Sequence, residues 1–229
     1  MNWSYWRFVP WIDTRAAFVS RTPKNGSLLD LGSSDGETLS HMSELRPDLA
    51  FASVDIAARP PRAPVAASFA QANLESDRLP WPDRSFDAIT CMHVVEHLRT
   101  MTNLWREIGR LLKPGGRVYI ETPGLQSVTT PNSPESLRAG FTLNFYDDPT
   151  HIQPVPIASL VGAARDVGLA VKATGRSRNW LFAAAHPLLS LLPPSRKRFT
   201  ARIHWLGWSV YLIAERPAAN QKDGGVNYG

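Results

Sequence analysis

The chain reads as an α/β protein built on a doubly wound, mostly parallel sheet, and three observations carry that reading. Short apolar runs alternate with stretches of helical periodicity, a small-residue turn closes the first run, and an acidic residue ends the second. Strands alternating with helices place helices on both faces of a sheet and open a ligand crevice at the carboxyl ends of its central strands.

Taken in order, Met1 to Ser20 sets Trp3, Tyr5, Trp6, Phe8, Trp11 and Phe18 among polar residues, which predicts a partly helical arm with an apolar side that packs on the body. Ser27 to Leu31 is the first strand, stopped by Gly32-Ser33-Ser34-Asp35-Gly36, and Thr38, Leu39, Met42 and Leu45 mark the helix after it. Phe51 to Ile56 is a second buried strand, ended by a loop carrying Pro60, Pro61 and Pro64. A third strand falls near Ala67 to Ala70 and a fourth at Phe86 to Met92. The helix from Thr100 to Leu112 stops at Lys113-Pro114-Gly115-Gly116, because proline cannot continue a helix and glycine accepts positive φ. Arg117 to Thr122 is the fifth strand. A long loop, Ser127 to Pro156, precedes a helix at Ile157 to Val167 and a strand at Leu169 to Thr174. Loops of that length over a crevice usually bind substrate. Gly207 to Arg216 is the final strand.

At 229 residues, the chain fits one domain of roughly 150 residues with extensions. We read a single domain over residues 1–217, with an arm at 1–20, substrate or lid insertions at 123–156 and 176–203, and a mobile polar tail at 218–229. With 43% hydrophobic and 20% charged residues, disordered and coiled-coil classes are excluded. The one cysteine, Cys91, excludes an internal disulfide framework and a Cys-rich metal site, and suits a reducing, cytoplasmic compartment. The opening MNWSYWRFVPW lacks the pattern of a secretory signal and reads as mature protein.

The net charge of +5 is uneven: residues 1–150 carry 15 basic and 17 acidic side chains, whereas residues 151–229 carry 10 and 3. Solvated surface accounts for such a face, and phosphate on a nucleotide-sugar, a nucleic acid or an anionic membrane would also meet it. Trp180 to Leu192 is apolar but only 13 residues long, short of the roughly 20 that cross a bilayer. Core packing or a homodimer contact is one reading of it. An interfacial helix at the inner membrane face, helped by Arg196-Lys197-Arg198, is the other.

The chemistry sits at the strand ends. Asp30-Leu31-Gly32-Ser33-Ser34-Asp35-Gly36 puts small residues where backbone must approach a ligand and aims a helix N-terminus at it. Its G-x-x-x-G spacing departs from the G-x-G-x-x-G of dinucleotide-binding dehydrogenases, and no Walker motif is present. Asp55 stands 19 residues after Gly36, at the end of the second strand, where a carboxylate can accept both hydroxyls of a ribose. Together these imply a nucleoside ligand with a polar tail over the turn.

With Leu28 to Gly36, Asp55, the run Leu79 to His97 and Leu111-Leu112-Lys113-Pro114-Gly115-Gly116, the sequence resembles the class I S-adenosylmethionine-dependent methyltransferases, in particular the ubiquinone and menaquinone methyltransferase-like group. The resemblance covers residues 27–122, the cofactor half. It implies a Rossmann-like, seven-stranded sheet with an antiparallel last strand, and S-adenosylmethionine as cofactor. It also implies that Asp30 holds the methionine amino group, that Gly32, Ser34 and Gly36 line the turn, that Asp55 and Ile56 meet the ribose, and that Asn73 and Leu74 flank adenine. His93 would line the cofactor and the reaction centre. Ser34 stands where the family turn has its middle glycine, and Asn73 where the family often has aspartate.

Phe145 to Pro154 is similar to a segment in methyltransferases of bacterial polysaccharide and glycolipid gene clusters. Its His151 is a natural general base for a sugar hydroxyl, since imidazole titrates near 6.5; a loop-anchoring hydrogen bond is its other role. His93, Glu96 and His97 would share one helix face and, with His151, resemble the ligand set of some metal-assisted methyltransferases. Our reading assigns no metal, leaving Glu96 and His97 to helix packing and capping. The expected activity is O-methylation of a hydroxyl on a sugar, glycolipid or related small molecule. Methylation of a quinone or aromatic acceptor under the aromatic arm is the alternative, and a catalytically silent binding module is a third reading. Nucleic acid ranks below these, because no Asn-Pro-Pro-Tyr-like motif or RNA module is present.

Overall fold

The computed structural model describes residues 3–64, 66–131 and 143–218. Its strands are β1 (Ser27–Leu31), β2 (Ala50–Asp55), β3 (Ser68–Gln71), β4 (Phe86–Met92), β5 (Leu112–Pro123), β6 (Ala170–Arg176) and β7 (Ser209–Glu215). They form one sheet in the order β3-β2-β1-β4-β5-β7-β6. Strands β1 to β5 pair in parallel, and β7 pairs antiparallel with both β5 and β6. The expected Rossmann-like sheet with an antiparallel last strand is therefore present. Strand order reverses between β1 and β4, and that switch point opens the crevice.

The helices are α1 (Thr14–Ser20), α2 (Glu37–Leu45), α3 (Thr102–Leu111), α4 (Ile157–Asp166), α5 (Trp180–Leu189) and α6 (Arg196–Leu206). Strand alternation divides the core into two layers. Leu28 and Tyr119 pack with Phe18, Leu39 and Met42 on one face. Their chain neighbours Leu29 and Ile120 pack with Ile89, Cys91, Leu104 and Ile108 on the other. Helix α1 starts where the Asp13 carboxylate accepts hydrogen bonds from the Arg15 and Ala16 amides. In α3, Leu104, Trp105, Ile108 and Leu111 are buried at positions i, i+1, i+4 and i+7.

Four expectations require correction. The Lys113 to Gly116 stop lies inside β5 rather than before it, in an irregular stretch where pairing with β4 shifts register; Gly115 has φ +78°. A side chain at Gly116 would meet the Lys113 and Phe86 carbonyls at 2.9 and 3.0 Å, so the irregularity needs a residue without Cβ. Glu96 and His97 lie on a short 3-10 turn, Val95–His97, after a left-handed His93, so they do not share an α-helical face with it. In the arm, Trp6 and Phe18 are buried but Tyr5, Phe8 and Trp11 are exposed. The apolar segment from Trp180 is not core: within α5 only Ala183 is buried. Helix α6 went unread because its basic start lacks apolar periodicity; Ser195 caps it by accepting from the Arg198 amide. The expected tail lies outside the described residues from 219 onward, as do residues 132–142 of the long loop.

Ile89 is fully buried on the central strand β4. Ile89→Ala should lower unfolding free energy by about 2–5 kcal/mol in a denaturant titration, since the layer around it cannot collapse onto the cavity.

Candidate active site

The turn after β1 is shaped by a close backbone approach. Gly32 has φ +75°, and a Cβ there would sit 2.3 Å from the Val94 side chain. Gly36 has φ +81°, and a Cβ there would sit 2.5 Å from the Ala63 amide. Ser34, between them, also lies in the left-handed region at φ 49°. Its amide donates to Asp55 Oδ2 at 2.7 Å, and this charge-assisted bond holds the serine in a conformation that glycine adopts freely. Asp55 Oδ1 accepts from the Ala57 amide at 2.9 Å. A carboxylate has about four acceptor positions, so two remain for diol hydroxyls.

Two cavities meet over this turn. One, of about 440 Å³, is lined by Gly32, Ser34, Asp55, Ile56, Asn73, Leu74, His93 and His97. The other, of about 210 Å³, is lined by Arg15, Asp30, Gly32, Ser33, Ser34, Thr38 and His93. Of the residues expected to bind the cofactor, only Gly36 lines neither cavity; it starts α2 and packs against Ala63. Ile56 is 68% exposed at the mouth of the larger cavity, an apolar platform open to a ring. Asn73 uses its Oδ1 to accept the Glu75 amide at 2.9 Å, which shapes the turn carrying Leu74.

Asp30 is the buried acid of the smaller cavity, accepting from Thr90 Oγ1 at 2.7 Å. Burial pushes its carboxyl up to about 7, the Thr90 bond working against this and the Asp55 charge adding to it. A carboxylate so poised gains from a cation placed beside it. Its pocket fits the ammonium end of an amino-acid tail.

Between the cavities stands His93, held at φ +55° and stacked on Trp208 with ring centroids 5.8 Å apart. Its Nδ1 lies 3.2 Å from Glu96 Oε1 and its Nε2 lies 3.3 Å from Glu121 Oε1. Burial would lower its titration point, but bonds to Glu121 and Glu96 outweigh that and hold it at about 9. At neutral pH His93 is an imidazolium with both N–H groups engaged. It is poorly suited to take a proton, and well suited to fix two carboxylates.

Glu121 is the residue that sequence reasoning missed. It is fully buried and accepts from Arg15 Nε at 2.9 Å, from the second Arg15 nitrogen Nη2, and from the Tyr119 hydroxyl at 2.6 Å. Burial opposes its charge, yet Arg15 and His93 hold it well below the ordinary carboxylate range. The only signal for it was an acid inside the apolar run of the fifth strand.

His151 sits in the described part of the long loop, against His97 at a centroid distance of 4.8 Å. Its Nδ1 donates to the Phe145 carbonyl at 2.6 Å, and its Nε2 lies 3.8 Å from Asp148 Oδ2. Since a carbonyl only accepts, Nδ1 carries the hydrogen and Nε2 keeps a lone pair in the neutral ring. The Ile152 amide donates to the Glu96 carbonyl at 2.8 Å, and His97 Nδ1 lies 3.1 Å from the Thr150 carbonyl. Glu96, His97 and His151 bring one ligand atom each within 4.8 Å of one another. Each of the three also has protein partners there, Glu96 through Thr122 and His93.

Comparison with known proteins identifies the family. A family described as Methyltransferase domain matches residues 3–174. This chain belongs to it. The chain thus carries a methyltransferase domain, and its two joined cavities suit the ribose, adenine and amino-acid parts of S-adenosylmethionine.

A ubiquinone biosynthesis O-methyltransferase of Xanthomonas oryzae pv. oryzae is 50% identical over 38 residues, 17% of this chain and 16% of that protein. One of Pseudomonas paraeruginosa is 28% identical over 122 residues, 50% of this chain and 49% of that protein. The chain thus matches at most about half the length of these relatives. Among solved structures, the chain resembles one of a complex between the Haloferax volcanii Trm112 methyltransferase activator and a methyltransferase, at TM-score 0.65 and 17% identity, covering 94% of this chain and 97% of that one. It also resembles an S-adenosylmethionine-dependent methyltransferase of Mesorhizobium loti, at TM-score 0.58 and 16% identity, covering 87% and 96%. These likenesses establish a shared fold.

Two pH dependences follow. If Asp30 meets the cofactor's ammonium, S-adenosylmethionine affinity measured by calorimetry should fall toward tenfold per pH unit below about 7, as Asp30 takes up a proton, and Asp30→Asn should flatten that slope. His93 is raised from 6.5 to about 9, so its stabilisation is complete below 6.5 and lost as pH rises through 9. Thermal melting should therefore decline over that window more steeply in the wild type than in His93→Gln.

Proposed function

We propose that this methyltransferase transfers its methyl group to a hydroxyl of a sugar, glycolipid or related small molecule, with His151 as the proton acceptor. The observation that carries the reading is the His151 hydrogen bond to the Phe145 carbonyl, which leaves Nε2 free to accept, on a loop braced against the cofactor cavity through His97 and Glu96. S-adenosylmethionine supplies an activated methyl group on a sulfonium. The protein's share is alignment, exclusion of water and a place for the hydroxyl proton. Asp148 lies near the proton-accepting nitrogen and would favour the imidazolium that forms. Asp30 and Arg15 hold the amino-acid end of the cofactor in this reading, Asp55 and Ile56 its ribose, Asn73 and Leu74 its adenine. His93 serves by fixing Glu96 and Glu121, not as a base.

The names of the curated relatives favour a second acceptor class, a quinone-like aromatic ring. Release of S-adenosylhomocysteine with sugar and catechol acceptors separates the two. On its true acceptor, His151→Ala should lower kcat by about 10²- to 10⁴-fold while cofactor affinity stays unchanged. Wild-type turnover in that variant removes His151 from the base role, and turnover only with catechols replaces the sugar reading.

A further inference from the structure

Helix α5 shows apolar side chains to solvent, the reverse of what a soluble protein's surface helix does. Its exposed positions are Trp180, Leu181, Ala184, Pro187 and Leu188, at i, i+1, i+4, i+7 and i+8, and every one is apolar. Exposure reaches 74% at Leu188 and 83% at Leu191 in the connection to α6. Soluble helices turn such a stripe inward. Here the helix packs on α6, Ala183 being its buried residue.

The charges beside the stripe point to one occupant. Residues 180–206 contain Arg196, Lys197, Arg198 and Arg202 and no aspartate or glutamate. Arg198 reaches back to the Leu192 carbonyl at 2.6 Å, which ties the basic start of α6 to the exposed leucines. Trp180 at the start of α5 and Trp205 near the end of α6 are 59% and 50% exposed, the residue type that favours the boundary between water and hydrocarbon. A second copy docked symmetrically on this stripe would bring the same cations together, with no acid on the hairpin to answer them. Of the four, Arg196 has an acid beside it, Glu37 of α2 at 3.9 Å, and an anionic bilayer answers all of them.

We propose that the α5–α6 hairpin is a docking device for an anionic phospholipid surface. The apolar stripe enters the headgroup and upper acyl region, and Arg196, Lys197, Arg198 and Arg202 pair with lipid phosphates. No described helix is long and apolar enough to cross a membrane, so the contact is interfacial. A chamber of about 750 Å³ lies at the base of the hairpin, lined by Phe182, Arg196, Lys197 and His204 and by Arg15 at the cofactor end. The proposal stands whether the acceptor is a sugar or a quinone.

Flotation of the full chain with phosphatidylglycerol–phosphatidylcholine vesicles tests it. The protein should float with these vesicles, much less with pure phosphatidylcholine, and less at high salt. Leu188→Glu with Leu191→Glu should abolish flotation with the melting temperature unchanged. Because that variant could misfold, Arg196→Ser with Lys197→Ser provides an independent arm and should weaken binding to anionic vesicles by roughly tenfold or more. Failure of the wild type to float with anionic vesicles overturns the proposal. So does equal binding to neutral vesicles, or a dimer in sedimentation that persists with vesicles absent and is lost in Leu188→Glu, which would give the stripe to a second copy.

Discussion

A fully buried carboxylate at the end of β5 governs the architecture above the sheet. Glu121 must be answered by donors before the sheet can close around it, and Arg15 from α1 and His93 after β4 do so. His93 is answered in turn by Glu96, and Glu96 by Thr122. Two cations and two carboxylates thus knit the arm, two central strands and the loop carrying His151 into one arrangement. Buried ion pairs add little net stability, but removing one partner strands the other, so they specify geometry more than they strengthen it. The geometry specified here is the junction of the two cavities.

That network also divides labour among the histidines. His93 is held between two acids and keeps its proton, whereas His151 donates its Nδ1 hydrogen to a backbone carbonyl and leaves its other nitrogen near Asp148. Two imidazoles on neighbouring loops therefore have opposite chemistry. Environment, not residue type, makes the distinction.

Most of the fold was legible because its signals are local. The strand β4 was read at Phe86 to Met92 as observed, and the glycine turn after β1 announced a backbone conformation that Gly32 and Gly36 adopt. Asp55 was legible as a strand-end acid beside the glycine turn, and it lines the larger cavity there. Arg15 and Glu121 were not, because their meaning comes from a contact across 106 positions of sequence. Helix α6 was hidden by its basic start, and Glu96 and His97 were misplaced on an α-helix because periodicity does not register the left-handed turn at His93. The outward stripe of α5 was half legible, since the apolar run admitted both core packing and an interfacial helix until its neighbours were known.

The burial of Cys91 has a practical consequence. As the chain's only thiol it sits at 0% exposure in the middle of the sheet, and burial raises its pKa well above the ordinary thiol value. A disulfide reagent added to the folded enzyme finds nothing to attack until the centre of the sheet opens. Labelling kinetics therefore act as a clock for global opening, and any ligand that binds only the closed form slows that clock in proportion to its occupancy. The enzyme carries its own reporter for ligand screening, with no dye or engineered site.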